Sequence, residues 1–220
     1  MMIETNTLAE LAVKHPAASR VFHRHGLDFC CHGNRPLENA CEERGLSPAA
    51  VLEEIEIEDG AYDDVPHWEN RPIQELISHL VNHYHFRVRE ELPLLVQMAD
   101  KVERAHHDKP TMPHGLLNRL ESEQSSILDH LQKEEKVLFP MIAAGRGTLA
   151  AGPIHTVEIE HQDHAQYLKQ MRTLTSNFVA PADACPTWEA LYIRLADFES
   201  ELMNHIHLEN NVLFRRALCG

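Results

Sequence analysis

Apolar residues along this chain recur at alternating steps of three and four, the spacing of one face of a helix, and almost nowhere at the step of two that a half-buried strand requires. Four long stretches carry the helical period: Pro72 to Arg104, Gly115 to Ala143, Pro153 to Thr175 and Thr187 to Ala217. The prolines at 72, 110, 113, 140, 153, 181 and 186 fall mostly at their ends, where a missing N–H costs least. The spacing predicts an all-α fold built on a four-helix bundle. Ahead of it, shorter helices are predicted near Thr7 to Lys14, from Pro16 to Gly26, from Pro36 to Arg44 and from Ser47 to Ile57, with a loop DFCCHGN after the second. Ser47-Pro48 supplies an N-cap followed by proline at the first helical position. The acidic, proline-bearing stretch EDGAYDDVPHWENRP, at about 58–70, marks the junction and divides the chain into domains 1–65 and 66–220.

Each long stripe is interrupted by polar residues where the core should be. The first reads Ile77, Val81, His85, Val88, Leu92, Leu95; the second Leu120, Ile127, His130, Glu134, Val137, Met141. The third reads Ile154, Val157, His161, Ala165, Leu168; the fourth Leu191, Leu195, Phe198, Leu202, His205, Glu209, Val212. Ionisable groups on a buried face are costly unless paired, hydrogen-bonded or bound to metal.

A repeat lies beneath the pattern. HLQKEEKVLF at 130–139 and HIHLENNVLF at 205–214 share His, Glu, Val, Leu and Phe at the same offsets, so that His130 and Glu134 stand 75 residues before His205 and Glu209. His85 and His161 precede them by 45 and 44 residues. The chain therefore reads as a duplicated helical hairpin, each copy supplying a His and then a His-x-x-x-Glu. Residues four apart on a helix lie about 40° apart and roughly 6 Å along its axis, so one helix can offer an imidazole to one metal and a carboxylate between two. Four imidazoles and two carboxylates suit a dinuclear site with two histidines per metal and two bridging glutamates. This N,O donor set favours Fe or Mn, with Zn compatible by ligand type. Two glutamates offset two of the six charges of a diferric pair, so an oxide or hydroxide bridge is expected in that state, and each metal keeps open positions for a small ligand.

Composition narrows the function. The chain holds 17 histidines, well above an even share of the twenty residue types, and 34 acidic against 20 basic side chains give a net charge of -14. Such a surface repels phosphate backbones and anionic membranes. No basic leader or long apolar span is visible, and a cytoplasmic location is expected. The five cysteines, Cys30, Cys31, Cys41, Cys185 and Cys219, form neither a metal-finger spacing nor a disulfide framework, which fits reduced thiols.

The second part of the chain, with His85, His130, Glu134, His161, His205 and Glu209, resembles a hemerythrin-like domain. The whole chain, through DFCCHGN, HLQKEEKVLFPMI and HIHLENNVLF, is similar to the Repair of Iron Centres family. The resemblance implies a non-haem centre of two Fe ions bridged by the two glutamates, and a short N-terminal domain bearing the adjacent cysteines. It implies restoration of iron-sulfur clusters damaged by oxidative and nitrosative stress, with iron donated to the damaged cluster proteins and Cys30 and Cys31 assisting transfer or redox. The alternatives are a hemerythrin-like carrier or sensor of dioxygen or nitric oxide, and a reductase of nitric oxide or peroxide at the diferrous site. A homodimer fits the limited core of a domain of about 60 residues.

Other polar residues carry blander expectations. His32, where the family's loop has glycine, offers an imidazolium that could lower a neighbouring thiol pKa. His83 and His207 stand two residues from His85 and His205 and are expected in solvent, as is His79. His164 is expected to border the metal stripe rather than bind, and Glu160 to be an exposed helix carboxylate. His106 and His107 fall in a polar loop.

Overall fold

The computed structural model describes residues 6–59 and 66–219. Its first unit contains four short helices: α1 (Leu8–Lys14), α2 (Ala18–His25), α3 (Leu37–Arg44) and α4 (Pro48–Asp59). Thr7 and Glu10 close a reciprocal capping box over the start of α1. Gly26 and Gly45 end α2 and α3 in the left-handed conformation, both at φ 66°. Leu8, Leu11, Phe22, Phe29, Leu37 and Ile55 form an apolar core of this unit's own. The junction expected over 58–70 is seen only at its ends, because residues 60–65 lie outside the described residues.

Four long helices follow. α5 runs through Ile73–His79, a π-helical turn Leu80–His85, and Phe86–Ala105. α6 runs through Leu116–Lys133, a π turn Glu134–Leu138, and Phe139–Ala143. α7 is Ala151–Leu174, and α8 runs through Pro186–Leu208, a π turn Glu209–Leu213, and Phe214–Cys219. They pack as a bundle with two apolar layers. Leu92, Leu95, Leu120, Trp188 and Leu195 belong to one; Leu76, Leu80, Phe139, Ile154 and Phe214 to the other. Along each helix the interrupting polar residues fall between these layers, so the site is sealed by hydrocarbon above and below.

The helices start and stop within a few residues of the sequence pattern, but the pattern misplaces one stripe position. Val137 is 52% exposed, whereas Leu138 next to it is buried. A π turn holds an extra residue, and the face that follows it rotates by about 100°. Val212, the repeat counterpart of Val137, is nevertheless buried. It lies in the layer against which Val13 of α1 packs, so the first unit covers this position in one copy of the repeat and leaves it to solvent in the other.

The first unit is docked by polar contacts as well. Glu199 on α8, nearly fully buried, accepts hydrogen bonds from Arg172 of α7 and pairs with His23 of α2 at 2.8 Å. Asn210 and Asn211 on α8 donate from their carboxamides to the backbone carbonyls of Phe29 and Cys30 at 3.2–3.3 Å.

Candidate metal centre

The six predicted residues meet at the middle of the bundle, and all are essentially buried. The Nε2 atoms of His85 and His205 lie 3.1 Å apart, as do those of His130 and His161. His85, His205, Glu134 and Glu209 can place one ligand atom each within 4.8 Å of one another; so can His130, His161, Glu134 and Glu209. Both glutamates are thus common to two four-residue groups. Glu209 approaches His205 at 2.9 Å through Oε1 and His161 at 3.1 Å through Oε2. Glu134 faces His130 at 3.4 Å through Oε1 and His85 at 3.5 Å through Oε2. Each position draws one histidine from each copy of the repeat, as a two-fold relation between the hairpins requires.

The side chains aim their lone pairs inward because their outer nitrogens are held. His85 Nδ1 donates to Glu135, His130 Nδ1 to Glu160 and His161 Nδ1 to the Asn210 carbonyl oxygen, each at 2.8 Å. An Nδ1–H so placed leaves Nε2 as the free base, the tautomer a metal needs. His205 differs: its Nδ1 has no hydrogen-bond partner among the described residues, and the Tyr84 ring stacks on it at 5.5 Å. Tyr84 is the repeat counterpart of Glu160, so the copies diverge at this support.

Electrostatics make the centre costly without a cation. Both oxygens of Glu134 and Oε2 of Glu209 are buried without a hydrogen-bond donor among the described residues. Burial, with Glu209 beside it, pushes Glu134 well above the usual carboxylate range. Burial also acts to raise Glu209, but His205, His161 and His85 outweigh it and hold this carboxyl well below that range. Burial lowers His130 and His205, so their imidazoles stay neutral. Neutral nitrogens and unpartnered carboxylate oxygens converging on two points fit divalent cations, whose charge reverses the cost of burying the glutamates.

Three expectations outside the six residues need correction. Glu160 is a half-buried carboxylate that accepts from His130 and pairs with Lys133, not a free surface group. His207 is 3% exposed, because the first unit lies over it with the Phe29 ring at 5.4 Å. His32 is engaged by a carboxylate: its ring pairs with Asp28 Oδ2 at 2.8 Å. The contact with Cys31, followed by burial, pushes the Cys30 thiol up instead. His83 is half-buried and faces Glu201 at 3.4 Å, while His79, also half-buried, stacks on Trp68. His164 borders the centre as expected; it hydrogen-bonds Glu123, its ring 5.0 Å from that of His130. Glu135, Glu123, Asn210 and the π turns were not anticipated. Glu135 and Asn210 could have been found as the residues that follow Glu134 and Glu209 in the repeat.

Cys30 and Cys31 sit at the seam between the first unit and the bundle, with their sulfurs 3.7 Å apart. Cys31 Sγ lies 3.5 Å from the backbone oxygen of His161.

Comparisons with known proteins agree with this geometry. Residues 4–59 match ScdA_N, a domain of unknown function, and residues 76–217 match the hemerythrin HHE cation-binding domain. The chain is 44% identical over 220 residues to the iron-sulfur cluster repair protein YtfE of Musicola paradisiaca, covering 100% of this chain and 99% of that protein. It is 43% identical over 224 residues to the YtfE of Yersinia pseudotuberculosis and 41% over 220 residues to that of Pectobacterium carotovorum, in each case covering both chains completely. With the full length matched at this identity and a hemerythrin-type bundle closing on a buried His and Glu cluster, the chain belongs to the family of these iron-sulfur cluster repair proteins.

Proposed function

We propose that this protein restores damaged iron-sulfur clusters, acting from a di-iron centre held by His85, His130, His161, His205, Glu134 and Glu209. The observation that carries the metal assignment is the 3.1 Å separation of each Nε2 pair. Two nitrogens at about 2.1–2.2 Å from one ion stand about 3.0–3.1 Å apart at a right angle, and about 3.4 Å apart at a tetrahedral one. The separation is compatible with each pair of nitrogens binding one ion. Two imidazoles and two glutamate oxygens would hold each ion, and such a donor set would leave room for a small ligand such as nitric oxide or dioxygen. When bound, the iron pair supplies redox chemistry and a source of ferrous ions.

The residues of the chain hold and release that cargo. Four imidazoles contribute no charge and two carboxylates only -2, so two ferrous ions would keep a net charge of +2 and be held loosely enough to leave. Glu135 and Glu160 orient two imidazoles, and the apolar layers exclude bulk water. The cysteine loop is tied through Asn210 to His161, which places two thiols beside the centre. Division of labour between a cysteine-bearing unit, 1–65, and a metal-bearing unit, 66–220, follows, with damaged cluster proteins as clients. No described helix is long and apolar enough to cross a membrane.

The test is anaerobic. The diferrous protein is mixed with a [4Fe-4S] enzyme damaged by peroxide or nitric oxide, and both enzyme recovery and iron leaving the bundle are followed. Recovery matched by iron loss is expected. Recovery that persists in a Glu134→Ala/Glu209→Ala variant unable to hold two irons would overturn iron donation, and reversible gas binding without iron loss would favour a carrier.

A further inference from the structure

A second cluster of ligand-type atoms lies outside the bundle centre. Asp28, Cys30 and Cys31 can place one carboxylate oxygen and two sulfurs within 4.8 Å of one another. The sulfurs are 3.7 Å apart, and Asp28 Oδ1 is 3.5 Å from Cys30 Sγ. Tetrahedral coordination with bonds of about 2.3 Å to sulfur and about 2.0 Å to oxygen places two sulfurs about 3.8 Å apart and an oxygen and a sulfur about 3.5 Å apart. Both edges are compatible with that figure.

The surroundings hold these atoms in place. The backbone N–H groups of Cys31 and His32 donate to Asp28 Oδ1, while His32 Nδ1 and Lys169 meet Asp28 Oδ2. The cysteine carbonyl is pinned by Asn210 and Asn211. Cys30 and Cys31 both line a surface cavity of about 300 Å³, with Glu158, Gln162 and Asn210 among its walls, so an ion can reach the thiols and a fourth ligand can enter.

We propose that Asp28, Cys30 and Cys31 form a separate, thiolate-rich binding site for one thiophilic divalent cation such as Fe²⁺ or Zn²⁺, open to a fourth ligand from the cavity. The ion replaces the protons of two thiols, so that one M²⁺ and two S–H groups give one bis-thiolate complex and two protons released to solvent. Nothing is oxidised or reduced. In an iron donor this is where a ferrous ion leaving the bundle would next find ligands. That purpose rests on the function proposed above; the existence of the site does not.

Cobalt(II) is the probe, because thiolate ligation gives an intense near-ultraviolet charge-transfer absorption that the His and Glu donors of the bundle cannot produce. It is added anaerobically to the full-length, iron-loaded protein with Cys185 and Cys219 replaced by serine. The expected result is one equivalent of cobalt per chain with the charge-transfer band and two protons released. The band should disappear in Cys30→Ser and in Cys31→Ser, and Asp28→Asn should weaken binding by tenfold or more. Absence of the band at stoichiometric cobalt, or its survival in Cys31→Ser, overturns the site; unchanged far-ultraviolet dichroism in each variant excludes misfolding as the cause. In the Glu134→Ala/Glu209→Ala variant the band should remain while bundle iron is lost, so failure of the di-iron reading and failure of this one give different results.

Discussion

The outer hydrogen bonds of the four histidines make the two halves of the proposed dimetal centre unequal. The His130/His161 position has a carboxylate acceptor, Glu160, on one imidazole and a carboxamide acceptor, Asn210, on the other. The His85/His205 position has one carboxylate, Glu135, and on His205 no acceptor. An acceptor on Nδ1–H raises the basicity of the ligating nitrogen and fixes its ring, and losing one typically costs 10–100-fold in metal affinity. The His85/His205 ion should therefore be the more weakly held.

Glu135→Ala removes the last Nδ1 acceptor from that weaker position. The carboxylate is 28% exposed and also pairs with Arg89 at 2.9 Å, so solvent already weakens its support and the low end of the range applies. Affinity should fall about tenfold, or about 1.4 kcal/mol. Glu160→Ala should act on the stronger position by a similar factor. Competition of the metal-loaded protein against a graded series of chelators, read by bound metal per chain, gives two affinities. Glu135→Ala should drive them further apart, and Glu160→Ala should bring them together. A single shared affinity in the unmodified chain, or convergence in Glu135→Ala, would refute the assignment of unequal support.

Other positions give independent checks. Replacing Glu199 by alanine leaves Arg172 and His23 without their carboxylate at the seam; removing one partner of a buried pair costs about 3–5 kcal/mol, and because the Arg172 side chain is 30% exposed about 2 kcal/mol is expected in urea unfolding, with Glu199→Gln losing less. A Cβ on Gly147 would stand 2.0 Å from the backbone oxygen of Ala217, so Gly147→Ala should destabilise the α8 end of the bundle by at least about 2 kcal/mol in thermal melts. Thr7→Ala opens the capping box of α1 and should cost about 1 kcal/mol, seen as faster amide exchange in α1 before any other helix.

The parts of this structure legible in the sequence are those that depend on period alone. Unbroken α-helical runs of 18 and 24 residues declare themselves through many repeats of a three-and-four step, and six ligand-type residues at matching heights need no knowledge of register. The π turns were not legible, because His130 and Glu134 stand four apart whether the turn that follows is α or π; only Val137 and Leu138, trading burial, reveal the extra residue. His207 was misjudged for another reason. Its angle from His205 does point it away from the bundle axis, but the first unit occupies that side, and what a second domain covers cannot be read from one helix's period. Glu160 is similar: its role lies in a contact with α6, 30 residues away in sequence.

The divergence of the two repeat copies follows from asking a two-fold bundle to carry one N-terminal unit. After Glu134 come Glu135 and Lys136; after Glu209 come Asn210 and Asn211. Carbonyl oxygens of the cysteine loop face the second pair and need uncharged donors at a buried seam. A glutamate at 210 could accept from His161 but could donate nothing to Cys30. Asparagine does both, with its oxygen on His161 Nδ1 and its nitrogen on the Cys30 carbonyl. The cost is electrostatic, since a neutral amide supports an imidazole less strongly than a carboxylate. Docking of the cysteine loop has thus been obtained by weakening one outer contact of the centre, and the same side chain makes the position of the thiols and the orientation of a metal-facing histidine mechanically dependent on each other.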